Sequence, residues 1–373
     1  MHVGLNLAFL VPGEAGGQEV VARELLPELA RTGVRLTAFV SREAAAAHGP
    51  WHDLECVTVP ASARNRLEWV RADQQLVPRL ARRAGVDVLH SLASTGPAWG
   101  AFARVVTIHD LIYRLHPDTH AGWRARGMAL LVPLAARRSH RVIAVSHATR
   151  DDLVRELRIS ADRIDVVHNG AGITPVHAPT AERELRDRLG LGDRRVILTL
   201  SAKRPHKNLP RLLDALALIP APERPVLVLP GYATWHEDEL AQRARTLGID
   251  GDVRLAGWVD GADLEGLYAL ADCFVFPSLY EGFGMPVVEA MRRGVPVACS
   301  DRGALREVTG DAARRFDPSD PAAIAGAIGD VLSDDALAQR LRAAGREQAA
   351  GFSWERAARE TLASYERALR GMS

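Results

Sequence analysis

Apolar and polar positions follow two alternating patterns along most of the chain. Short apolar runs predict buried strands, and segments with apolar residues three or four apart predict helices. In the first half, apolar runs predict strands at 3–10, 35–40, 57–59, 86–90, 104–109, 141–146 and 164–167. Helical spacing lies between them, as at 20–32. Strands that alternate with helices are typical of parallel sheets covered by helices.

Proline and glycine interrupt this alternation at 171–181, and it then begins again. In the second half we predict strands at 195–201, 225–230, 253–256, 273–277 and 296–299. Helices are predicted at 208–218, 236–247, 263–270, 286–293 and 321–331. We therefore predict two doubly wound α/β domains, residues 1–170 and 191–352, joined by a linker at 171–190.

Composition narrows the class of protein. A chain of 373 residues suits two domains, and its net charge of +1 argues against a general nucleic-acid binder. The apolar N-terminus lacks a basic leader, so it predicts a first strand and not a signal peptide. No apolar run reaches the length of about 18 residues that a membrane span needs. Cys56, Cys273 and Cys299 form an odd set without metal-binding spacing, which indicates reduced thiols and a cytoplasmic protein.

The segment FVFPSLYEGFGMPVVEAM at 274–291 carries the clearest chemistry. An apolar strand leads into a glycine-rich turn, and the turn opens a helix. Backbone N–H groups at such a helix start favour an anion, because they lack partners within the helix. Glu281 lies in the turn and Glu289 about two turns into the helix. Amides that bind phosphate, flanked by carboxylates that bind hydroxyls, suit a nucleotide-sugar.

The chain's only two lysines, Lys203 and Lys207, both lie in SAKRPHKN after the strand at 195–201. That strand and the one at 273–277 end at the same sheet edge, so cations here can reach a pyrophosphate. The alternative is a solvated basic loop, with two rare residues clustered by chance.

Three further positions each leave two interpretations open. The PGEAGG segment occupies a phosphate-loop position but lacks the dinucleotide spacing, so a tight turn is the alternative. His109 ends a strand, where it could bind a sugar hydroxyl or serve the structure. Trp258 and Val259 follow another strand end and either lie by a ligand or anchor a loop through a packed tryptophan. No paired carboxylates of the DxD metal-binding type stand out.

Several motifs together resemble bacterial retaining glycosyltransferases of family 4 (group 1). The pattern EGFGMPxxEAM is their hallmark, and the likeness extends over nearly the whole chain. It includes the Gly16–Gly17 loop, 107–110, VSHAT at 145–149, HNG at 168–170, PHKN at 205–208, GDAARRFDP at 310–318 and FSWE at 352–355. The resemblance implies the GT-B fold, in which two Rossmann-like domains face each other across a cleft. It also implies that a last helix, within 353–373, packs back on the first domain.

The resemblance also implies roles for single residues. Lys207 and an upstream basic residue, Arg204 or Lys203, are expected to hold the diphosphate with backbone groups of the turn. Glu281 and His109 are expected at the sugar, Glu289 at the ribose and Val259 near the base. The full set of expected catalytic and donor-binding residues is His109, Glu281, Lys207, Arg204, Gly16, Gly17, Lys203, Val259, Phe283, Gly284, Met285 and Glu289.

The predicted function is retaining transfer of a mannose- or rhamnose-like hexose from a nucleotide-sugar to a hydroxyl acceptor, without a metal or other cofactor. The acceptor is a small molecule, a glycan or a lipid-linked sugar. The alternatives are a sugar-nucleotide epimerase, a phosphorylase and a catalytically inactive nucleotide-sugar-binding protein. Arginines at 124–141 leave open either a peripheral contact with the inner membrane face or a core helix with a basic rim.

Overall fold

The structure is a computed structural model that describes residues 1–119, 123–172, 178–232, 234 and 236–372. The chain divides into two compact units. The first comprises Met1–Gly172 with Phe352–Ser373, and the second comprises Ile173–Gly351. Each unit is built on one parallel sheet whose strands alternate along the chain with helices.

The first unit has a seven-stranded sheet in the order β3-β2-β1-β4-β5-β6-β7. Its strands are β1 (His2–Leu7), β2 (Arg35–Val40), β3 (Glu55–Thr58), β4 (Val88–Ser91), β5 (Ala103–Ile108), β6 (Arg141–Ala144) and β7 (Ile164–Val166). The helices between them are α1 (Gly17–Arg31), α2 (Arg42–Ala46), α3 (Arg66–Arg71), α4 (Val77–Ala84), α5 (Ile112–Leu115), α6 (Trp123–Arg138) and α7 (His147–Leu157). The strand order reverses between β1 and β4, which is where open α/β sheets bind ligands.

The second unit has a six-stranded sheet in the order β10-β9-β8-β11-β12-β13. Its strands are β8 (Val196–Leu198), β9 (Val226–Pro230), β10 (Val253–Gly257), β11 (Cys273–Phe276), β12 (Val297–Ser300) and β13 (Arg314–Phe316). Its helices are α8 (Glu182–Leu189), α9 (Leu209–Leu218), α10 (Glu237–Thr246), α11 (Gly261–Leu270), α12 (Met285–Arg292), α13 (Ala304–Thr309), α14 (Pro321–Ser333) and α15 (Asp335–Ala350). Here the strand order reverses between β8 and β11.

The predicted doubly wound α/β architecture is confirmed, with differences in detail. Strand β13 escaped prediction because only Phe316 of its three residues is buried, so the apolar signal is short. Helix α8 lies inside the segment expected as a linker. It was not predicted because its charged sequence ERELRDRL buries only Leu185 and so lacks an apolar pattern. The linker residues 173–177 lie outside the described part of the chain.

The last helix, α16 (Trp354–Arg370), belongs to the first unit and is fixed there by buried polar contacts. The Nδ1 atom of His90 on β4 lies 2.7 Å from the Tyr365 hydroxyl, and its Nε2 lies 2.8 Å from the Thr107 hydroxyl. The Ser364 hydroxyl donates to Asp165 at 2.7 Å. These hydrogen bonds satisfy polar groups that would otherwise be costly to bury.

The stability of the first unit should fall in acid because of His90. Burial, followed by the neighbouring His109, lowers the pKa of His90 to about 3. The unfolded chain takes up this proton below about pH 6.5, whereas the folded unit does not, so protons favour unfolding. We expect the unfolding free energy to lose about 1.4 kcal/mol per pH unit between about pH 6 and pH 4 from this group.

Urea titrations at several pH values measure this slope. His90→Gln should reduce the slope by the equivalent of about one proton taken up on unfolding, while the exposed His48→Gln should leave the slope unchanged. An identical slope in His90→Gln and the wild type would show that His90 does not act in this way.

Candidate functional site

Two loops of the second unit lie at the carboxyl edge of its sheet, where the strand order reverses. Residues 199–208 follow β8, and residues 277–284 follow β11. The backbone N–H of Leu279 donates to the His206 carbonyl at 2.8 Å, so the loops are joined directly. Both of the sequence motifs that were expected to bind phosphate therefore lie where the strand order reverses, between β8 and β11.

Asn208 connects these loops, a role that the sequence analysis did not predict. Its amide donates to the carbonyls of Pro277 at 3.0 Å and Pro318 at 2.7 Å. Asn208 has a positive φ of 58°, a conformation that asparagine tolerates better than most residues. The side chain is buried. Asn208 thus fixes the position of Lys207 against the end of β11.

Lys207 pairs with Glu281, a residue of the turn itself. The Lys207 Nζ donates to Glu281 Oε1 at 2.7 Å, and the two side chains are only 15% and 13% exposed. The ammonium also lies 5.1 Å from the centre of the Phe276 ring. An ammonium has three N–H donors, so pairing with one carboxylate oxygen leaves donors that can address an anion.

Gly284 shapes the turn and could not be replaced easily. Its φ is +101°, and a Cβ atom there would lie 2.5 Å from Leu305 Cδ2. Helix α12 begins at the next residue, Met285, with Pro286 in its first turn. The first N–H groups of a helix have no partner within it and sit at the positive end of the dipole. The backbone at Phe283, Gly284 and Met285 is therefore suited to an anion.

Glu289, on the second turn of α12, is oriented by a buried tyrosine. The Tyr268 hydroxyl donates to Glu289 Oε2 at 3.0 Å, and Tyr268 is 1% exposed. Burial, reinforced by the charge of Glu289, raises the pKa of Tyr268 well above its usual value, so the hydroxyl stays protonated. Arg293 lies over the tyrosine ring at 4.5 Å and pairs with Glu265. Neither Tyr268 nor Arg293 was predicted.

The structure separates the roles of Lys203 and Arg204. Lys203 is fully buried; its Nζ donates to the Gly231 carbonyl at 3.0 Å and pairs with Glu237 at 2.8 Å. Its ammonium is thus committed to the loop after β9. Arg204 is half-buried, and within the described residues its guanidinium makes no hydrogen bond or ion pair. Arg204 is the better candidate for an anion contact.

An aromatic pair stands at the ends of β9 and β10. The rings of Tyr232 and Trp258 stack with centres 4.6 Å apart and planes 24° apart. Trp258 is 67% exposed and Tyr232 41% exposed, so the tryptophan does not anchor its loop by burial. Val259, half-buried, follows directly.

His109 lies in the first unit, just after β5, and its ring orientation is fixed. Its Nε2 lies 2.6 Å from the Leu92 carbonyl, and its backbone N–H donates to the Ser94 hydroxyl at 3.1 Å. Because a carbonyl only accepts, Nε2 carries the proton, and Nδ1 of the neutral ring is an acceptor. Burial lowers the pKa of His109, although the Leu92 carbonyl and Asp110 act in the opposite direction.

The glycine loop of the first unit leads into α1. Gly16 has φ 57° and ψ −135°, a combination that only glycine adopts readily, and Gly17 begins the helix. Glu19, which the sequence analysis did not single out, accepts from the Gly13 N–H at 2.7 Å and from Arg23 at 2.8 Å. This carboxylate holds the loop in place.

Two other expectations concern compartment and membrane. Cys273 and Cys299 are buried in β11 and β12, where burial raises the pKa of each thiol to about 12. Within the described residues, no helix combines the length and apolar character needed to cross a membrane. The arginine-rich segment forms α6, but the side chains at 123–126 lie outside the described part.

The chain resembles known families and proteins over most of its length. The family described as "Glycosyl transferases group 1" matches residues 181–348, and the one described as "Glycosyltransferase Family 4" matches residues 15–173. The O-antigen chain mannosyltransferase B of Escherichia coli is 35% identical over 267 residues, which cover 70% of each chain. The serotype-specific mannosyltransferase WbdA of Escherichia coli is 32% identical over 276 residues, 71% of this chain but 33% of that longer protein.

A solved structure shows the same architecture. Sucrose-phosphate synthase from Thermosynechococcus elongatus superposes with a TM-score of 0.78 at 22% identity, and the match covers 100% of both chains. At this identity the likeness establishes the fold, while the sequence matches establish the family. The chain therefore belongs to the group 1 glycosyltransferases of family 4 and has their GT-B fold.

Proposed function

We propose that this glycosyltransferase moves a mannose- or rhamnose-like hexose from a nucleotide-sugar to a hydroxyl acceptor, with retention of anomeric configuration. The observation that carries the proposal is the Lys207–Glu281 pair, 2.7 Å apart, whose glutamate belongs to the glycine turn that opens α12. Such a pair offers a cation to a departing phosphate and a carboxylate to a sugar. The mannosyltransferases among the relatives support the choice of hexose.

The donor would bind mainly to the second unit. Lys207, Arg204 and the backbone N–H groups of the turn would meet its diphosphate, because charge-assisted hydrogen bonds are the strong ones. Glu289 would accept from the ribose hydroxyls, in the orientation that Tyr268 gives its carboxylate. The acceptor would bind mainly to the first unit.

The base would lie near Val259, beside the exposed ring of Trp258. Every nucleobase has an aromatic face that can stack on such a ring. Stacking of this kind tolerates different bases, so the site supports a nucleotide without selecting guanine over uracil.

Bond breaking puts negative charge on the diphosphate oxygen that leaves the anomeric carbon. Fixed positive groups aimed at that oxygen stabilise the transition state more than the ground state. Retention follows if the acceptor hydroxyl attacks the face from which the diphosphate departs, and the diphosphate takes the hydroxyl proton. Such a step needs no side-chain base, and it needs no metal if Lys207 and Arg204 supply the charge.

Glu281 and His109 would act on the transferred sugar. Glu281 can accept from a sugar hydroxyl, and the neutral His109 offers Nδ1 as an acceptor because Leu92 holds the proton on Nε2. We expect Glu281→Ala to lower kcat at least tenfold, since removing one charge-assisted bond costs about 1.5–3 kcal/mol, and His109→Ala to lower it about 2- to 10-fold, since a neutral hydrogen bond contributes about 0.5–1.5 kcal/mol. In both variants the Kd for free nucleoside diphosphate should change less than about threefold.

Steady-state kinetics and calorimetry with GDP separate these effects. The exposed His48→Ala serves as the control for His109. Full turnover by a folded His109→Ala variant would mean that this histidine serves only the structure.

A donor screen followed by product analysis tests the whole proposal. Thermal shifts with GDP-mannose, UDP-glucose and dTDP-rhamnose identify the donor, because a ligand at 100 times its Kd adds about 2.7 kcal/mol to stability. Proton NMR of the product formed with methyl α-mannoside gives the anomeric configuration. An inverted product would refute retention, and binding without any turnover on an acceptor panel would favour an inactive binding protein.

A further inference from the structure

In the first unit, the residues Ala72–Leu76 between α3 and α4 form a π-helical turn. Turns of this kind are rare and are often found at functional sites. The turn carries Asp73, which is 2% exposed, and Gln74. A buried carboxylate is costly unless donors surround it, so its partners indicate what it is for.

Asp73 is held by two amides and by the side chain of Thr95, a residue of the loop that follows β4. Its Oδ1 accepts from Asn6 Nδ2 at 2.7 Å, and its Oδ2 accepts from Gln74 Nε2 at 3.0 Å. Asn6 lies near the end of β1 and also donates to the Ser91 hydroxyl at the end of β4, at 3.1 Å. Asp73 therefore lies where the strand order of this sheet reverses and fixes the amide of Gln74.

Gln74 in turn clamps the loop that follows β4. Its Nε2 donates to the Gly96 carbonyl at 2.9 Å, and its Oε1 accepts from the Ala98 N–H at 3.2 Å. Its own carbonyl accepts from the indole of Trp99 at 2.8 Å. One glutamine thus satisfies three groups of a single loop.

The other end of the same loop holds His109. Leu92 supplies the carbonyl at 2.6 Å from His109 Nε2, and the Ser94 hydroxyl accepts the His109 backbone N–H. Ser94 has a φ of 62°, a left-handed conformation that is strained for a residue other than glycine. Such strain persists only where the surroundings impose it, and the clamp at Gly96 and Ala98 lies two and four residues away.

We propose that Asp73 and Gln74 are positioning residues that hold the loop at 92–98 in the conformation that fixes the tautomer and orientation of His109. The effect on catalysis rests on the function proposed above for His109, whereas the effect on the ring does not. Neither residue needs to touch the substrate. Asp73 orients Gln74 and also binds Thr95 of the loop directly, Gln74 clamps the loop, and the loop holds the imidazole.

The direct test is the nitrogen NMR spectrum of the His109 ring in the full chain, because the two neutral tautomers give different ring shifts. We expect the wild type to show the Nε2–H tautomer at pH 8, and Gln74→Ala to show a mixture. Asp73→Asn keeps an acceptor and the volume, so its spectrum should lie between the two. Gln75→Ala, an exposed position on the same turn, is the matched control and should leave the wild-type spectrum.

Turnover of GDP-mannose with methyl α-mannoside gives the second measurement. We expect Gln74→Ala to lower kcat about 2- to 10-fold, as for His109→Ala, with the donor KM within about threefold, because a small misplacement of a catalytic group acts on the chemical step. An unchanged His109 spectrum in folded Gln74→Ala and Asp73→Asn would overturn the proposal. A changed spectrum with unchanged kcat would support the positioning role and refute the function of His109. If Gln74→Ala does not fold, Asp73→Asn alone decides by the same spectrum.

Discussion

Lys207→Ala should lower turnover about 10²–10³-fold, the loss expected when one preorganised charge-stabilising donor is removed. The Lys207 ammonium is held by Glu281 of the turn at 2.7 Å and lies over the Phe276 ring. Because charge grows on the leaving diphosphate, the lost interaction belongs mainly to the transition state. We therefore expect kcat to fall far more than donor affinity.

Two further variants serve as comparisons for Lys207→Ala. Lys207→Arg keeps the charge but changes its geometry, and it should recover part of the activity. Arg195→Ala removes an exposed cation just before β8, at the opposite end of that strand, and should retain full turnover. A kcat for Lys207→Ala within twofold of the wild type would exclude Lys207 from leaving-group stabilisation.

If Lys207 stabilises the leaving diphosphate, turnover should not require a divalent metal. If protein cations neutralise the diphosphate, chelation with EDTA should leave the wild-type rate within about twofold, because no Mg²⁺-supported step is then lost. Activity that EDTA abolishes and Mg²⁺ or Mn²⁺ restores would assign the charge stabilisation to a metal.

The sequence predicted those parts of the site that depend on local pattern. A strand, a glycine turn and a helix occur in continuous order at 273–292, so this glycine turn and the position of Glu281 in it could be predicted without a structure. The glycine at 284 has a local reason as well, since its φ is positive. Strands in the buried centre of each sheet were found because both of their faces are apolar.

Contacts between distant segments could not be predicted in this way. Lys203 and Lys207 are four residues apart and chemically identical, yet one is buried against Glu237 and the other faces Glu281. The difference arises from the loop after β9, which is remote in sequence. Asn208 and Tyr268 act through partners 69 and 21 residues away, and Asp73 through one 67 residues away.

Glu289→Ala should weaken the binding of free nucleoside diphosphate by about 1.5–3 kcal/mol, which is roughly 10- to 150-fold in Kd, because it removes a charge-assisted hydrogen bond. The carboxylate is preorganised by the Tyr268 hydroxyl at 3.0 Å, so little ordering remains to be done when ribose binds. Tyr268→Phe should keep the charge of Glu289 but lose this orientation, and its Kd should lie between those of the wild type and Glu289→Ala.

Calorimetry with GDP and UDP measures all three proteins, with the exposed Glu184→Ala on α8 as the control. If Glu289 contacts the ribose and not the transferred hexose, the loss should be the same with and without a hexose on the nucleotide. Equal affinity of Glu289→Ala and the wild type for the free diphosphates would remove Glu289 from the ribose site.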